Sequence, residues 1–171
     1  MSATQDARVS QSVAQVGGLD LPTQRRIKLM FKDVHYVAVI GRALISTPFL
    51  VSGIGKIAAP AVTQGYIAAA GLPLPIVGYA IAVGIEVGGA LMLLLGIKTR
   101  LTAAALAVFT LATAFAFHAN FADQNQMIHF LKDVMIAGGL LQIAAFGAGA
   151  LSLDNRRVKG REGKTNVALA G

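Results

Sequence analysis

The sequence predicts an all-α fold, a four-helix transmembrane bundle with both termini in the cytoplasm. Hydrophobic residues make up 55% of the 171 residues and charged residues only 13%, whereas roughly 25% of the residues of a soluble domain are charged. Four apolar windows approach the roughly 20 residues that a helix needs to cross a hydrocarbon core about 30 Å thick. Most of the basic residues fall in segments that such a chain leaves on one side of the membrane.

The four predicted membrane helices are separated by polar or proline-rich breaks. They show no sustained period-2 alternation, which favours helices over barrel strands. A short interfacial helix is expected within residues 61–71, ended by Gly71 and by Pro73, which disfavours continued helix; Pro75 suits the first turn of the next helix. The predicted membrane helices cover residues 36–58, 75–97, 101–117 and 130–150.

The two ends of the chain lie outside the predicted membrane domain of residues 36–151. Residues 1–35 are predicted to form a disordered, partly interfacial N-terminal tail, because residues 25–36 mix basic and apolar side chains. Residues 152–171 are predicted to form a basic, disordered C-terminal tail. Residues 1–26 contain no apolar core of the kind that a cleavable signal peptide requires, so the first helix is expected to remain in the mature protein.

The distribution of Lys and Arg sets the predicted orientation. Twelve of the fifteen basic residues lie in the N-terminal segment, in the loop between the second and third helices and in the C-terminal tail. The connections of residues 59–74 and 119–128 contain no Lys or Arg. The positive-inside rule therefore predicts a multi-pass membrane protein with both termini in the cytoplasm. The twelve residues are Arg8, Arg25, Arg26, Lys28, Lys32, Lys98, Arg100, Arg156, Arg157, Lys159, Arg161 and Lys164.

Charged residues inside the predicted helices need an explanation. A charge at the centre of a membrane helix costs about 2.5–3.5 kcal/mol on insertion scales, so each needs a partner, a cavity or the interface. At a rise of 1.5 Å per residue, Arg42 lies about 9 Å and Glu86 about 16 Å from the cytoplasmic face. These depths indicate an Arg42–Glu86 bridge. Such a bridge would either only fix the register of the two helices or take part in binding a ligand or moving protons. Gly84 and Gly88 have GxxxG spacing, which predicts close helix packing.

A second set of polar residues gathers at the outer end of the predicted bundle. Two interpretations remain open for it. In the first, the lysines snorkel to the interface while the histidines bond to water and loop carbonyls. In the second, the set forms a head-group pocket in which lysine or histidine donates to the carbonyls of a quinone or to another polar ligand, and histidine relays protons. The helical spacing puts three members on one stripe of the fourth helix. The set consists of Lys56, His118, His129, Lys132 and Asp133.

Composition limits the cofactors and partners. The sequence has no cysteine, which excludes disulfides, iron–sulfur clusters, covalently attached c-type haem and dithiol relays. A b-type haem between His118 and His129 is the least favoured cofactor, no metal site is predicted, and a quinone is the favoured ligand. The net charge of +7 indicates anionic lipid headgroups, because no nucleic-acid-binding module is visible.

Four segments in order along the chain resemble the DoxX family of small bacterial membrane proteins. The resemblance implies a four-helix inner-membrane protein; some relatives are similar to the membrane subunit of thiosulfate:quinone oxidoreductase, and others are associated with oxidative-stress complexes. It carries over no catalytic residues, and Asp133 stands where asparagine is common. The segments are FLVSGIGKIAAP (residues 49–60), GYIAAAGLPLP (65–75), LLLGIKTR (93–100) and FADQNQMIHFLKDVMIAGGLL (121–141).

Three functions remain in view. The leading expectation is a subunit, itself non-catalytic, of a quinone-linked oxidoreductase or oxidative-stress redox complex that offers a quinone or small-ligand pocket. The second is a small-solute or proton transporter in which Arg42 and Glu86 form a gate. The third is a non-enzymatic scaffold or assembly factor. All three imply protein partners or a homo-oligomer.

Overall fold

The computed structural model describes residues 21–155, with side chains from Tyr36 onward. The described chain is helical and contains no strand. Four of its helices are long and apolar enough to cross a membrane, which confirms the all-α class and the four spans. The contacts reported below lie in the unit that begins at Ala38. The helices are α1 (Leu21–Ala58), α2 (Pro60–Ala69), α3 (Pro75–Leu95), α4 (Thr99–Phe117) and α5 (Gln124–Phe146).

The helix α1 begins earlier than the sequence predicts. Its backbone is helical from Leu21, whereas the predicted membrane helix starts at residue 36. Pro22 stands in the first turn, where proline is tolerated, and the residues that follow are mostly good helix formers. Among the residues whose side chains are described, the part of α1 that is long and apolar enough to cross a membrane is Tyr36–Ala58. Residues 1–20 and 156–171, which hold most of the two predicted tails, lie outside the described residues.

The short helix expected within residues 61–71 is present as α2. Pro60 occupies its first turn, and the chain leaves the helix through Gly71, whose φ of 74° is in the left-handed region that favours glycine. Pro75 then stands in the first turn of α3, as predicted. The two proline-started helices are therefore joined by a short connection that ends at Leu74.

The helix α3 contains a π-helical segment in its middle. Residues Gly84–Gly89 have this wider turn, and Glu86 lies within it. A π turn inside an α-helix often marks a functional site. The helix ends at Leu95, two residues before the predicted end, because Gly96 adopts a left-handed backbone with φ 70°.

The N-terminus of α4 is capped from the far end of the chain. The carboxylate of Asp154 accepts hydrogen bonds of 2.8 Å from the backbone N–H groups of Lys98 and Thr99 and from the Thr99 hydroxyl. The Asp154 N–H in turn donates to the Gly96 carbonyl at 2.9 Å. This cap lets α4 begin at Thr99 rather than at residue 101. It also attaches residues 152–155, which the sequence places in the C-terminal tail, to the bundle.

The helix α5 differs from its predicted range of 130–150 at both ends. Asp123 caps it by accepting hydrogen bonds of 2.8 Å from the Asn125 N–H and 3.2 Å from the Gln126 N–H. The polar residues expected in a loop therefore form the first turns of α5. The helix ends at Phe146, because Gly147 has a φ of 85° that does not continue a helix.

The core is built from small and medium side chains of all four membrane helices, which allows close approach. A Cβ at Gly53 would meet Val87 of α3, and one at Gly89 would meet Leu106 of α4. By contrast, a Cβ at Gly84 or Gly88 would meet nothing within 4 Å. The predicted GxxxG packing face is thus wrong within the described chain. The core residues are Phe49, Ala90, Leu93, Ala103, Leu106, Ala107, Ala137 and Leu140.

Substitution of Gly96 by alanine tests the junction between α3 and α4. A Cβ there would overlap the Arg42 guanidinium and Ser152, and alanine disfavours the left-handed backbone. We expect Gly96→Ala to lower the free energy of unfolding by at least about 1–3 kcal/mol. The matched control is Gly138→Ala in α5, where a Cβ meets nothing within 4 Å. Thermal unfolding in detergent should separate the two variants, and equal midpoints would contradict this packing.

Candidate functional site

An ion pair joins α1 to the middle of α3. The Nζ of Lys56 donates to the Glu86 carboxylate at 2.9 Å (Oε1) and 2.8 Å (Oε2), and to the Ser52 hydroxyl oxygen at 2.7 Å. The Glu86 side chain is 8% exposed and that of Lys56 is 24% exposed. Both residues lie within candidate membrane spans. Because hydrocarbon provides no counterion, each residue supplies the opposite charge that the other needs. The pair is the central feature of the candidate site.

The predicted Arg42–Glu86 bridge is wrong. Arg42 is 2% exposed, and its guanidinium donates to the carbonyls of Leu93 at 3.5 Å and Leu151 at 2.7 Å. The Leu93 carbonyl belongs to the last turn of α3, where carbonyls lack helical partners. The Leu151 carbonyl is supplied by the folded-back C-terminal segment. Arg42 thus finds acceptors near its own level, and Glu86 pairs instead with the lysine at the other end of α1.

A cavity of about 850 Å³ surrounds the Lys56–Glu86 pair. It brings together four of the seven candidate residues, namely Lys56, Glu86, His118 and Asp133. Its volume is within the range of small-molecule sites, and mostly apolar walls with a few polar groups are typical of such sites. The apolar part of the wall includes Pro48, Phe49, Val62, Ile67, Leu72, Ile81, Phe109, Phe117 and Ile136.

The two predicted histidines lie together at the connection between α4 and α5. The rings of His118 and His129 stack with centroids 5.0 Å apart and planes 23° apart. The Nδ1 of His118 is 2.8 Å from Oε1 of Gln126. Because that oxygen only accepts, Nδ1 donates this hydrogen bond. Haem ligation by this histidine pair stays a prediction.

The remaining candidates lie outside the cavity wall. His129 contacts the wall residue His118 through the stack. Lys132 is exposed, and Arg42 belongs to the opposite end of α1. Among the described residues, no group of three or more histidine and acidic side chains is placed to hold a metal ion. The site is therefore centred on the ion pair rather than on the whole set of predicted polar residues.

Sequence reasoning missed the hydroxyl groups of the cavity wall. Thr110 and Thr113 line it from α4, Thr63 and Tyr66 from α2, and Ser52 from α1. The i, i+3 spacing of Thr110 and Thr113 in the otherwise apolar stretch of residues 103–117 is a signal that was available. The Tyr66 ring also stacks on Phe117, with centroids 5.2 Å apart and planes 17° apart. This stack fixes α2 against α4 and makes the interfacial helix a wall of the site.

A smaller cavity of about 570 Å³ lies at the junction of α4 with the C-terminal segment. It is lined by Lys98, Arg100 and Asp154 among others. The Asp154 carboxylate is engaged as the cap of α4. The polar groups here connect chain segments, which distinguishes this cavity from the one around the ion pair.

Breaking the ion pair should destabilise the protein more than removing it. We expect Lys56→Met to cost about 3 kcal/mol of unfolding free energy, because it leaves the Glu86 carboxylate buried without a cation. The double variant Lys56→Met with Glu86→Leu should recover most of that loss. Thermal unfolding in detergent measures both, with Lys98→Met at an exposed loop position as the control. A double variant no more stable than the single one would contradict a buried pair.

Comparison with known proteins agrees with this architecture. The DoxX family model matches residues 37–119. Inner membrane protein YqjF of Escherichia coli (strain K12) is 43% identical over 119 residues, covering 68% of this chain and 88% of YqjF. Inner membrane protein YphA of the same organism is 36% identical over 124 residues, covering 69% of this chain and 88% of YphA. No solved structure matches the chain significantly. The chain therefore belongs to the DoxX family of membrane proteins.

Proposed function

We propose that this protein is the membrane subunit of a quinone-linked redox system and that the cavity around Lys56 and Glu86 binds the quinone ring. The observation that carries the proposal is an ion pair placed in a cavity of about 850 Å³ between membrane helices. A pair that served only to fix helix register would be expected to be packed closely by side chains. Open space beside paired charges is instead the arrangement of a binding site for a small polar group.

The chemistry of the walls suits an amphipathic ring compound. Aromatic and aliphatic side chains supply apolar contact, and Tyr66 stacked on Phe117 offers a flat aromatic surface. The polar groups of the wall include those of Ser52, Lys56 and Glu86, and those of His118 and Asp133. A lipid-soluble ligand reaches a site between membrane helices without crossing water. A quinone combines these properties with two polar ring positions.

The proposed role leaves electron transfer to a partner, because two common kinds of redox centre are missing. It has no cysteine, and the described residues include no cluster of histidine and acidic side chains placed to bind a metal. Electrons for a bound quinone therefore come from, or pass to, a protein partner. The role proposed for this subunit is to bind and orient the quinone, with His118 and Asp133 as proton-exchanging groups at one end of the cavity.

The family relatives and the basic residues support a location and an orientation. Both curated relatives are named inner membrane proteins, and we propose the same membrane for this chain. The positive-inside rule places both termini in the cytoplasm. The end of α1 that carries Lys56 then lies toward the outer face, and the cavity opens in the outer half of the membrane. Anionic lipid headgroups would contact the basic loop and tails.

The transporter hypothesis depended on a gate formed by Arg42 and Glu86 in the middle of the membrane. Glu86 pairs with Lys56 instead, so this gate is not formed. A scaffold role uses the helix surfaces and tails and gives no reason for a polar cavity. The ligand-binding subunit is therefore the function that the site supports best.

Quinone binding by the purified protein tests the proposal. Full-length protein in nanodiscs of quinone-free lipid should bind a decyl-substituted benzoquinone in its oxidised or its reduced form, measured by calorimetry. The double variant Lys56→Met with Glu86→Leu should bind the reduced form at least tenfold more weakly, because the polar end of the cavity is lost while the fold is kept. Lys98→Met serves as the control and should bind as the unaltered protein does. Absence of binding of both forms to the unaltered protein would remove the proposal.

Reporter fusions test the proposed orientation. Alkaline phosphatase, which is active outside the cytoplasm, should be inactive when fused after residue 155 or after residue 98. It should be active when it is inserted after Ala122 in the connection between α4 and α5. A reporter that is active at residue 155 and inactive at Ala122 would reverse the orientation.

A further inference from the structure

We infer that the cavity binds the hydroquinone form of its ligand more tightly than the quinone form. This inference rests on the proposed function and specifies which form of the ligand the site prefers. It follows from a count of the hydrogen-bond donors and acceptors that the cavity wall has left to offer.

The strongest donor in the wall is fully used. A lysine ammonium has three N–H donors, and those of Lys56 are directed to Ser52 Oγ and to the two oxygens of Glu86. A ligand carbonyl could receive a hydrogen from Lys56 only if one of these bonds were given up. The ammonium therefore holds the Glu86 carboxylate in place rather than presenting a donor to the cavity.

Three threonine hydroxyls in the wall have also committed their hydrogens. Thr110 donates to the Leu106 carbonyl at 2.7 Å, and Thr63 donates to the Ala59 carbonyl at 3.2 Å. Thr113 is bonded to carbonyls of its own helix at 2.9 and 3.1 Å. A hydroxyl that donates to its own helix keeps its lone pairs as acceptors. All three hydroxyls thus add acceptors to the cavity.

The titratable groups add further acceptors. A carboxylate has about four lone-pair sites, so Glu86 keeps acceptor capacity after binding Lys56. Asp133 lines the cavity and makes no hydrogen bond with the described residues. Nδ1 of His118 donates to Gln126, so in a neutral imidazole the other ring nitrogen, Nε2, is an acceptor. Each of these groups favours a ligand that brings a hydrogen.

Few donors remain to balance these acceptors. The hydroxyl hydrogens of Ser52 and Tyr66 are the side-chain donors still uncommitted among the described lining residues. Six side chains present acceptors, namely Thr63, Glu86, Thr110, Thr113, His118 and Asp133.

The two redox forms of the ligand differ in the property that the cavity selects. A benzoquinone ring has two carbonyl acceptors and no donor, whereas its hydroquinone has two O–H donors. An acceptor facing an acceptor in a water-poor site leaves both without a hydrogen bond, which costs free energy. The hydroquinone can donate hydrogen bonds to the acceptors of the cavity wall, whereas the quinone cannot.

Charge supports the same preference. Lys56 and Glu86 neutralise each other, and an ionised Asp133 leaves the cavity with no excess positive charge. An anionic ligand would therefore find acceptors and negative charge rather than a cation. The site fits a neutral ligand that donates hydrogen bonds.

A comparison of three ring compounds tests the inference. Full-length protein in quinone-free nanodiscs is titrated without oxygen with a decyl-substituted benzoquinone, its hydroquinone and the dimethyl ether of the hydroquinone. We expect the hydroquinone to bind at least tenfold more tightly than the other two. A tenfold preference for the reduced form of this two-electron couple would raise the midpoint potential of the bound ligand by about 30 mV.

The outcomes separate the two proposals. Equal or tighter binding of the quinone would overturn the inference and leave the proposed function standing. Absence of binding by all three compounds would overturn both. Equal binding of the hydroquinone and its dimethyl ether would show that the hydroxyl hydrogens are not recognised, and this result would also overturn the inference.

Matched variants locate the acceptors. Asp133→Asn adds N–H donors to the wall and should lower the hydroquinone preference at least threefold, whereas Asp123→Asn keeps a good helix cap outside the cavity and should not.

Thr110→Val removes one acceptor without changing the shape and should also lower the hydroquinone preference. Thr102→Val on the same helix is its control, because Thr102 also donates to a backbone carbonyl but lies outside the cavity wall. Unchanged preference in both cavity variants would overturn the inference.

Discussion

The ion pair between Lys56 and Glu86 is the interaction on which the candidate site depends. Each residue alone would place a charge within a membrane span, and the hydrocarbon offers neither water nor counterion. Pairing lets both charges stay there at the same time, and it ties the last turns of α1 to the π-helical middle of α3. The cavity is formed beside this connection, so the same contact that holds two helices together also supplies the polar end of a binding site.

The two ends of α1 meet the same constraint in different ways. Arg42 is buried and directs its guanidinium to the carbonyls of Leu93 and Leu151. None of these three residues lines either of the two cavities described above. At this end polar groups fasten the C-terminal segment to the bundle, with Asp154 as the cap of α4. At the other end Lys56 donates to Ser52 and to both oxygens of Glu86 but borders open space. Burial of charge is therefore structural at one end and combined with a ligand-sized cavity at the other.

The sequence allowed the spans to be predicted but not the partners of the charges. Hydropathy depends only on local composition, so the four spans, the short helix after Pro60 and the start of α3 at Pro75 could be identified. The partner of Glu86 depends on the rotation of α3, which the π turn changes. The cap of α4 comes from Asp154, 55 residues away from Thr99, and no local pattern reveals it. The sequence thus indicated which polar residues gather at the outer end of the bundle, whereas the structure was needed to show which of them pair with each other.

The excess of acceptors in the cavity follows from the way a membrane helix satisfies its own polar groups. A threonine that faces lipid or an apolar cavity gives its hydrogen to a carbonyl one turn earlier, as Thr110 does, and a buried lysine gives all its hydrogens to a carboxylate and a neighbouring hydroxyl. Both solutions consume donors and leave lone pairs. A cavity lined by groups that are already satisfied in this way can gain further hydrogen bonds mainly from a ligand that carries hydrogens. In the proposed function, the contribution of this chain to electron transfer is that selection of one redox form, and a protein partner would carry out the transfer itself.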